Sequence, residues 1–215
     1  MAKEIVSPGS NFSELCKVSW NSLKGTRCFA FGITLFAMVV YGAAQNIPKI
    51  GWITGYLLAP LTTGTALFCL KIIRNEQLGW NVIFEPFNQY LRFVWANLRM
   101  LIFTILWGLL LIIPGIIAGY RYSMTFFVML DDPECSVKEA MAESSKIMYG
   151  HKMQLFGYSV LLSLIALGTT VITLGIGLFW LLPWLGTFYA AFYDSIRRQP
   201  QIITEETETV SGEVA

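Results

Sequence analysis

Uncharged stretches alternate with short polar segments along this chain, and their lengths predict membrane helices. Residues 28–48, 50–70 and 100–120 carry no charge, and neither does the longer stretch 153–193. A helix needs roughly 20 apolar residues to cross the hydrocarbon core of a bilayer. We therefore expect six membrane helices, with predicted ranges 28–45, 50–72, 97–113, 116–130, 153–173 and 177–195. The third and fourth are short, so they either cross a thinned bilayer or form a re-entrant hairpin.

Proline and glycine indicate where these helices turn and bend. Pro60 and Pro183 fall inside the second and sixth predicted helices, where each removes a backbone hydrogen bond and favours a kink. Short turns within the three helix pairs are predicted at Gln45–Lys49, at Pro114 and Gly115, and at Gly175 to Gly177.

Small residues follow the first two turns at a spacing that allows close helix packing in lipid. Gly51 and Gly55 are four residues apart, as are Gly115 and Gly119. Glycine at this spacing lets two helix backbones approach each other. We expect a helix–helix contact at each pair.

A short amphipathic helix precedes each pair of spans, over 11–25, 80–96 and 136–149. Asn11 with Glu14, and Ser136 with Glu139, have the spacing of a capping box at a helix start. Glycine, the usual residue just past a helix end, stands at positions 25 and 150. At helical spacing the apolar faces are Phe12, Leu15, Cys16, Ser19 and Leu23; then Phe84, Phe87, Leu91, Val94, Trp95 and Leu98; then Val137, Ala140, Met141 and Met148.

The fold class that follows is all-α: a polytopic membrane protein with six transmembrane helices in three hairpins, each preceded by an interfacial amphipathic helix. The three units form one membrane domain over residues 1–198. A threefold repeat can reflect true duplication, but any protein built of helical hairpins looks repetitive. The sequence leaves both explanations open.

Composition agrees with a membrane protein and sets the tail apart. Hydrophobic residues make up 55% of the 215 residues and charged residues 13%, whereas soluble domains carry about 25% charge. That balance excludes disorder for most of the chain. Residues 199–215 are rich in Glu and Thr, so we predict a disordered acidic tail in the cytoplasm.

The basic residues are distributed unevenly in the predicted topology. The net charge is only +1, which excludes a bulk basic field for nucleic acid. Lysine and arginine concentrate on the side that holds both termini, and Lys49 falls clearly on the other side. Positive loops stay cytoplasmic. Both termini are therefore predicted to be cytoplasmic.

Arg121 lies in the interior of the fourth predicted span, whereas Lys71 and Arg99 lie near the ends of theirs. An ionisable group inside a membrane is costly and marks a functional site by default. Arg121, with Tyr120 and Tyr122 beside it, is therefore a candidate site for a lipid phosphate or an anionic substrate. The alternative is structural, because an arginine side chain can extend from the apolar layer to the interface.

Catalytic and metal-binding patterns are scarce. No Asp or Glu lies in the interior of a predicted span, and Asp131, Asp132 and Glu134 cluster where the fourth helix ends. Paired carboxylates can hold a metal or transfer protons, but a turn followed by the Ser136 cap explains this cluster too. One His and four scattered Cys lack the spacing of a zinc site. We predict a protein that is not an enzyme, with no cofactor and no metal.

Two functional hypotheses fit these features. The first is a non-enzymatic membrane module that binds lipids, with a protein partner or a second copy of the chain as a further binding partner. Amphipathic helices beside basic residues suit an anionic cytoplasmic leaflet. The second is a transporter for a small or lipid-like substrate, with a path near Pro60, Pro183 and Arg121. A third, a membrane enzyme, would depend on the Asp131 cluster.

Several motifs in the second half of the chain resemble a known family. They are Ile-Ile-Pro-Gly-Ile-Ile from Ile112, Arg-Tyr-Ser-Met from Arg121, Asp-Asp-Pro-Glu from Asp131, Ala-Glu-Ser-Ser-Lys-Ile-Met-Tyr-Gly-His-Lys from Ala142, Thr-Leu-Gly-Ile-Gly-Leu from Thr173, Leu-Pro-Trp from Leu182 and Ala-Ala-Phe-Tyr from Ala190. Together they resemble the bacterial integral membrane family catalogued as domain of unknown function 975. The resemblance spans 11–197 and is densest over 98–195. It implies a multi-pass protein of the bacterial cytoplasmic membrane, and it brings no catalytic residues.

Overall fold

A computed structural model describes residues 11–46, 58–110, 112–175 and 177–213 of the chain, with the backbone alone for 107–110, 112–114 and 198–213. Within these ranges all regular structure is helical. The α-helices are α1 (Phe12–Ser22), α2 (Arg27–Gln45), α3 (Ala59–Arg74), α4 (Tyr90–Leu110), α5 (Ile112–Tyr122), α6 (Thr125–Asp131), α7 (Val137–Ile147), α8 (Lys152–Thr173) and α9 (Leu178–Glu213). Two 3₁₀ segments, Trp80–Ile83 and Glu85–Gln89, precede α4.

The first and third amphipathic helices form as the sequence predicts. Both have a capping box at their start, Asn11 with Glu14 in α1 and Ser136 with Glu139 in α7. The glycine after each helix, at positions 25 and 150, has a φ of +96° and +86° respectively. These positive values favour glycine because its lack of a Cβ removes the steric penalty. The predicted faces turn inward, with Leu15, Ser19, Leu23, Val137, Ala140, Met141 and Met148 all buried.

Loss of the α7 cap is expected to destabilise the protein by about 1 kcal/mol in a Ser136→Ala variant. The Ser136 hydroxyl accepts from the Glu139 backbone N–H at 3.2 Å, and the Glu139 carboxylate accepts from the Ser136 N–H at 2.8 Å. Hydrogen bonds from the backbone and then the side chain of Ser136 lower the pKa of Glu139.

The Glu139 half of the capping box depends on pH. A carboxyl whose pKa is lowered in the fold stabilises it above the unfolded pKa, and that contribution is lost as pH falls through the folded value. The gap in melting temperature between wild type and a Glu139→Ala variant should therefore narrow in melts taken from about pH 7 down to pH 3. A gap that is constant across this range would contradict the capping role of the Glu139 carboxylate.

Within the described ranges, two helices are long and apolar enough to cross a membrane, α2 with 19 residues and α8 with 22. Only 11% of the apolar window of each is buried within the protein. Along α8 the outward residues are large and apolar, and Val171 and Ile172 expose 68% and 83% of their surface. A continuous apolar surface of this kind fits a hydrocarbon environment better than water.

The second unit differs from its predicted form. Residues 80–89 form the two 3₁₀ segments, and one helix then runs from Tyr90 through the start of the predicted third span. The predicted apolar face also points the other way, because Leu91 is 80% exposed and Trp95 58% exposed, while Phe93 and Ala96 are buried. The core takes the opposite face of this helix, and the apolar stripe stays on the outside.

The α4 and α5 helices form a short hairpin. The rings of Phe103 and Tyr122 lie 6.3 Å apart, centroid to centroid, so the two helices run back alongside each other. Helix α5 has 11 residues and ends at Tyr122, and Ser123 and Met124 separate it from α6. The predicted fourth span, 116–130, is thus two short helices.

Several prolines and glycines have roles other than those predicted. Pro60 lies in the first turn of α3, where a missing N–H is tolerated, rather than at a kink in a helix interior. Pro114 and Gly115 lie inside α5 rather than in a turn. Pro183 is inside α9, as the sequence predicts.

The predicted turn around Gly175 and Gly177 is present. The φ of Gly175 is +90°, and the Gly177 N–H donates to the Thr173 hydroxyl at 2.8 Å. The turn predicted at Gln45–Lys49 and the Gly51 and Gly55 pair lie almost entirely outside the described residues.

Helix α9 is the centre of the core. Its residues from Thr187 to Ile196 are buried except for Tyr189, and it contacts α1, α2, α3 and α8. The Phe127 and Tyr193 rings stack at 5.1 Å. The helix continues through 199–213, where the sequence predicts a disordered tail. The glutamates of that stretch are good helix formers, so the helical backbone has a local cause.

Candidate functional site

Arg121 lies in a cleft with two other cations. The cleft has a volume of about 180 Å³ and lies between α4, α5 and α7. Arg99 of α4 and Lys138 of α7 line it together with Arg121. The other lining residues are Phe103, Tyr122, Met141, Ala142 and Ser145. We call these eight residues the cationic cleft.

Neighbouring side chains orient both arginines. The Arg121 Nε donates to the Ser145 hydroxyl, and the Ser144 hydroxyl donates to the Arg121 carbonyl at 2.9 Å. The Arg121 guanidinium lies 5.8 Å from the Tyr122 ring centre, and that of Arg99 lies 5.9 Å from the Phe103 ring centre. Cation–π contacts of this kind hold a guanidinium in place without neutralising it.

The charge of the cleft is uncompensated. Among the described residues, no carboxylate lines it, and Arg99, Arg121 and Lys138 form no salt bridge. Three cations at one small cleft attract an anion, and arginine suits phosphate because its planar fork donates in pairs.

Arg121 lies at the junction of α5 and α7, and its side chain is exposed. The sequence analysis did not associate Arg99 and Lys138 with it, because each lies on a different helix. The signal that could have indicated this grouping is that Arg99 and Lys138 both lie on the predicted cytoplasmic side. That Arg121 and Tyr122 bind a ligand stays a prediction.

Tyr120 belongs to a different cavity from Arg121. Its hydroxyl forms a 2.7 Å hydrogen bond with the Ser159 hydroxyl of α8. Both residues line a groove of about 600 Å³ between the α4–α5 hairpin, α8 and α9. The other lining residues are Thr104, Gly115, Ile116, Gly119, Ser123, Leu155 and Tyr189. We call this the hairpin groove. None of its lining residues in the described part of the chain is charged.

Gly115 and Gly119 both line this groove. A Cβ added at Gly119 would meet no atom within 4 Å. The close helix–helix contact expected at this pair is therefore wrong at Gly119, and at Gly115 it stays a prediction. By contrast, a Cβ at Gly186 of α9 would lie 2.6 Å from the Cys69 sulfur of α3, so close packing occurs there.

A second apolar groove of about 400 Å³ lies between α2, α3 and α9. Pro183 and Tyr189 line it, and Tyr189 also lines the hairpin groove. Pro60 and Arg121 line neither, so the three residues proposed for a transport path share no cavity in the described part of the chain. The transporter hypothesis stays a prediction without this support.

A buried ion cluster joins the ends of α3 and α6 to the middle of α9, three places that lie far apart in the sequence. Arg74 of α3 donates to the two Asp131 carboxylate oxygens at 2.6 and 3.0 Å, and to Asp194 at 3.2 Å. The Tyr193 hydroxyl donates to Asp131 at 2.8 Å, and Arg197 forms a salt bridge with it. The two aspartate side chains are only 6% and 5% exposed.

The turn predicted at this acidic cluster is confirmed at Asp132, whose carboxylate accepts from the backbone N–H groups of Glu134 and Cys135 at 3.1 and 3.3 Å. Asp131 has a different role, because it is the centre of the ion cluster. Asp194, at the end of the sixth predicted span, is a buried acid of the same cluster.

The ion cluster has a structural geometry. Its charges pair with each other, two cations against two carboxylates, so little net charge remains to attract a ligand. Burial and the nearby Arg74 lower the pKa of Arg197. No group of three or more His, Cys, Asp or Glu side chains that could hold a metal ion occurs among the described residues.

The comparisons with known proteins give a family without an assigned activity. No curated protein matches the chain, and neither does any solved structure. A family model described as protein of unknown function (DUF975) matches residues 94–200. This range includes all eight residues of the cationic cleft. The match confirms the resemblance seen in the sequence motifs, and the chain belongs to this family of proteins of unknown function.

Proposed function

We propose that this protein is a non-enzymatic module of the bacterial cytoplasmic membrane that binds an anionic lipid through the cationic cleft. The observation that carries the proposal is the convergence of Arg99, Arg121 and Lys138 on one cleft that no described carboxylate lines. A phospholipid phosphate presents several acceptor oxygens to such donors. The anionic inner leaflet supplies this ligand at high local concentration.

The proposed topology places the cleft at the cytoplasmic surface. Helix α5 rises about 16 Å over its 11 residues, about half of the roughly 30 Å hydrocarbon core. Arg99 and Arg121 face each other at the base of this hairpin, beside the amphipathic helix α7. A re-entrant hairpin that enters and leaves on the cytoplasmic side accounts for both facts. Both termini then lie in the cytoplasm, as the lysine and arginine distribution favours.

This arrangement also explains why the charge of Arg121 adds little to the free energy of membrane insertion. In a full span, an arginine near the middle of the apolar layer would be strongly unfavourable. At the base of a re-entrant hairpin, its guanidinium reaches the headgroup layer while α5 remains in the hydrocarbon. The same depth brings the guanidinium level with lipid phosphates. One position thus keeps the charge out of the apolar layer and also allows the proposed binding.

An Arg121→Gln variant is expected to bind phosphatidylglycerol about tenfold more weakly, because a hydrogen bond to a charged group contributes about 1.5–3 kcal/mol. Glutamine retains a polar side chain that can still reach Ser145, so the fold should be preserved. Native mass spectrometry of the purified protein, titrated with short-chain phosphatidylglycerol, measures the affinity.

The matched control is Lys146→Gln, which removes one positive charge from α7 outside the cleft. Lys146 is 77% exposed and pairs with Glu143 at 3.2 Å. Its variant should bind the lipid as wild type does. Equal affinities for wild type and both variants would overturn the proposal, and equal weakening by both would reduce it to a general charge effect.

A further inference from the structure

We infer that the hairpin groove binds one acyl chain of a membrane phospholipid, at a site separate from the cationic cleft. Tyr120 and Arg121 are consecutive, yet they line different cavities, so the two sites lie on different faces of α5. The groove has about 600 Å³, within the usual range of about 300–1,000 Å³ for ligand pockets.

The lining selects hydrocarbon over water. The two hydroxyls at Tyr120 and Ser159 bond to each other at 2.7 Å, so they offer little to a water molecule. A stable buried water needs two to four polar partners. Thr104, Ser123 and Tyr189 also bring hydroxyls to the wall, and that of Ser123 donates to the Tyr120 carbonyl at 2.8 Å. Most of the exposed wall area is nevertheless apolar, with Ile116 and Leu155 among its residues.

The surroundings indicate a lipid as the source of that hydrocarbon. Ile116 lines the groove and is 49% exposed, so the groove opens on the outer surface of the protein. The neighbouring Ile117 and Phe156 are 48% and 41% exposed. Helix α8, which forms one wall, is long and apolar enough to cross a membrane. In a bilayer, the molecules at this opening are acyl chains.

Glycine creates the space. An added Cβ at Gly119 meets nothing within 4 Å, so a larger side chain there can enter the groove without a clash in the core. A Gly119→Leu variant should therefore fold and fill the site. Gly168 of α8 is the matched control, because its added Cβ also meets nothing within 4 Å and it lies outside the groove.

The test uses a phosphatidylcholine that carries a diazirine halfway along one acyl chain, diluted into phosphatidylethanolamine vesicles that contain the protein. Irradiation followed by peptide mass spectrometry locates the label. In wild type we expect it concentrated on groove residues such as Gly119 and Ser159. In Gly119→Leu this labelling should fall about tenfold, since the leucine displaces about two methylenes of the chain. Gly168→Leu should label as wild type does.

Two results would overturn the inference. One is wild-type label spread evenly over the exposed face of α8, at Val160 and Leu164 as much as in the groove. The other is groove labelling that Gly119→Leu leaves unchanged. Gly119 lines the hairpin groove and not the cationic cleft, so Gly119→Leu changes the first site and leaves the second intact. Failure here and failure of Arg121→Gln are therefore separate outcomes.

Discussion

Replacement of Asp131 by alanine is expected to destabilise the protein by about 3–5 kcal/mol, the cost of removing one partner from a buried ion pair. The Asp131 carboxylate holds both nitrogens of the Arg74 fork and the Tyr193 hydroxyl. Without it, Arg74 and Arg197 lie close together with only Asp194 to balance them. The ends of α3 and α6 then lose their link to the middle of α9. In detergent, the denaturant concentration at the midpoint of unfolding should therefore be much lower than for wild type.

Asp132→Ala is the matched control for this experiment. It removes the same group from the adjacent residue, which is exposed and accepts only two turn hydrogen bonds. Its expected cost is about 1 kcal/mol. If Asp131→Ala lowers the free energy of unfolding no more than Asp132→Ala does, the ion cluster does not hold α3, α6 and α9 together.

Substitution of Gly64 by alanine should have the next largest effect, a destabilisation of about 3 kcal/mol. An added Cβ would lie 2.9 Å from the Ile83 carbonyl carbon and would overlap its oxygen. That neighbour is backbone, so no side-chain rotation relieves the contact. The 3₁₀ segment that holds Ile83 must move away from α3, and the melting temperature in detergent should fall accordingly.

Gly42→Ala supplies the control, since it is the same substitution in another helix. An added Cβ at Gly42 of α2 meets nothing within 4 Å. Alanine there should be neutral or stabilise the helix by about 0.5–1 kcal/mol. A Gly64→Ala variant that melts like Gly42→Ala would show that α3 and the 3₁₀ segment are not in close contact.

Local signals in the sequence predicted local structure well. The capping boxes at Asn11 and Ser136 and the glycines at 25 and 150 each depend on residues within one or two helical turns. Such signals need no knowledge of the rest of the fold. The first and third units were predicted for that reason. The second unit lacks a capping box and a closing glycine, and its helix starts and faces differently.

The sequence could not predict features that depend on distant partners. Arg74 and Asp131 are 57 residues apart, and Arg74 and Asp194 are 120 apart. The following Pro133 marks Asp132 as the turn residue, but nothing near Asp131 in the sequence indicates its place in the ion cluster. Burial of one and exposure of the other follow only from how α3, α6 and α9 meet.

The candidate site was predicted in part. Arg121 stood out because it interrupts an apolar run, and the structure brings it to a cationic cleft. Its partners Arg99 and Lys138 looked like ordinary flanking charges. The turn expected at Pro114 and Gly115 is wrong, because α5 already begins at Ile112. Proline is tolerated in the first turn of a helix, so the same residues fit both readings.

The most direct test of the proposed lipid-binding role is the identity of the lipids that remain bound when the wild-type protein is extracted from its own membrane. Native mass spectrometry of the extracted protein, beside the lipid composition of the whole membrane, gives that answer. We predict a retained anionic phospholipid, enriched over its share of the membrane. Retained lipids that merely mirror the bulk membrane, or none at all, would contradict the proposal.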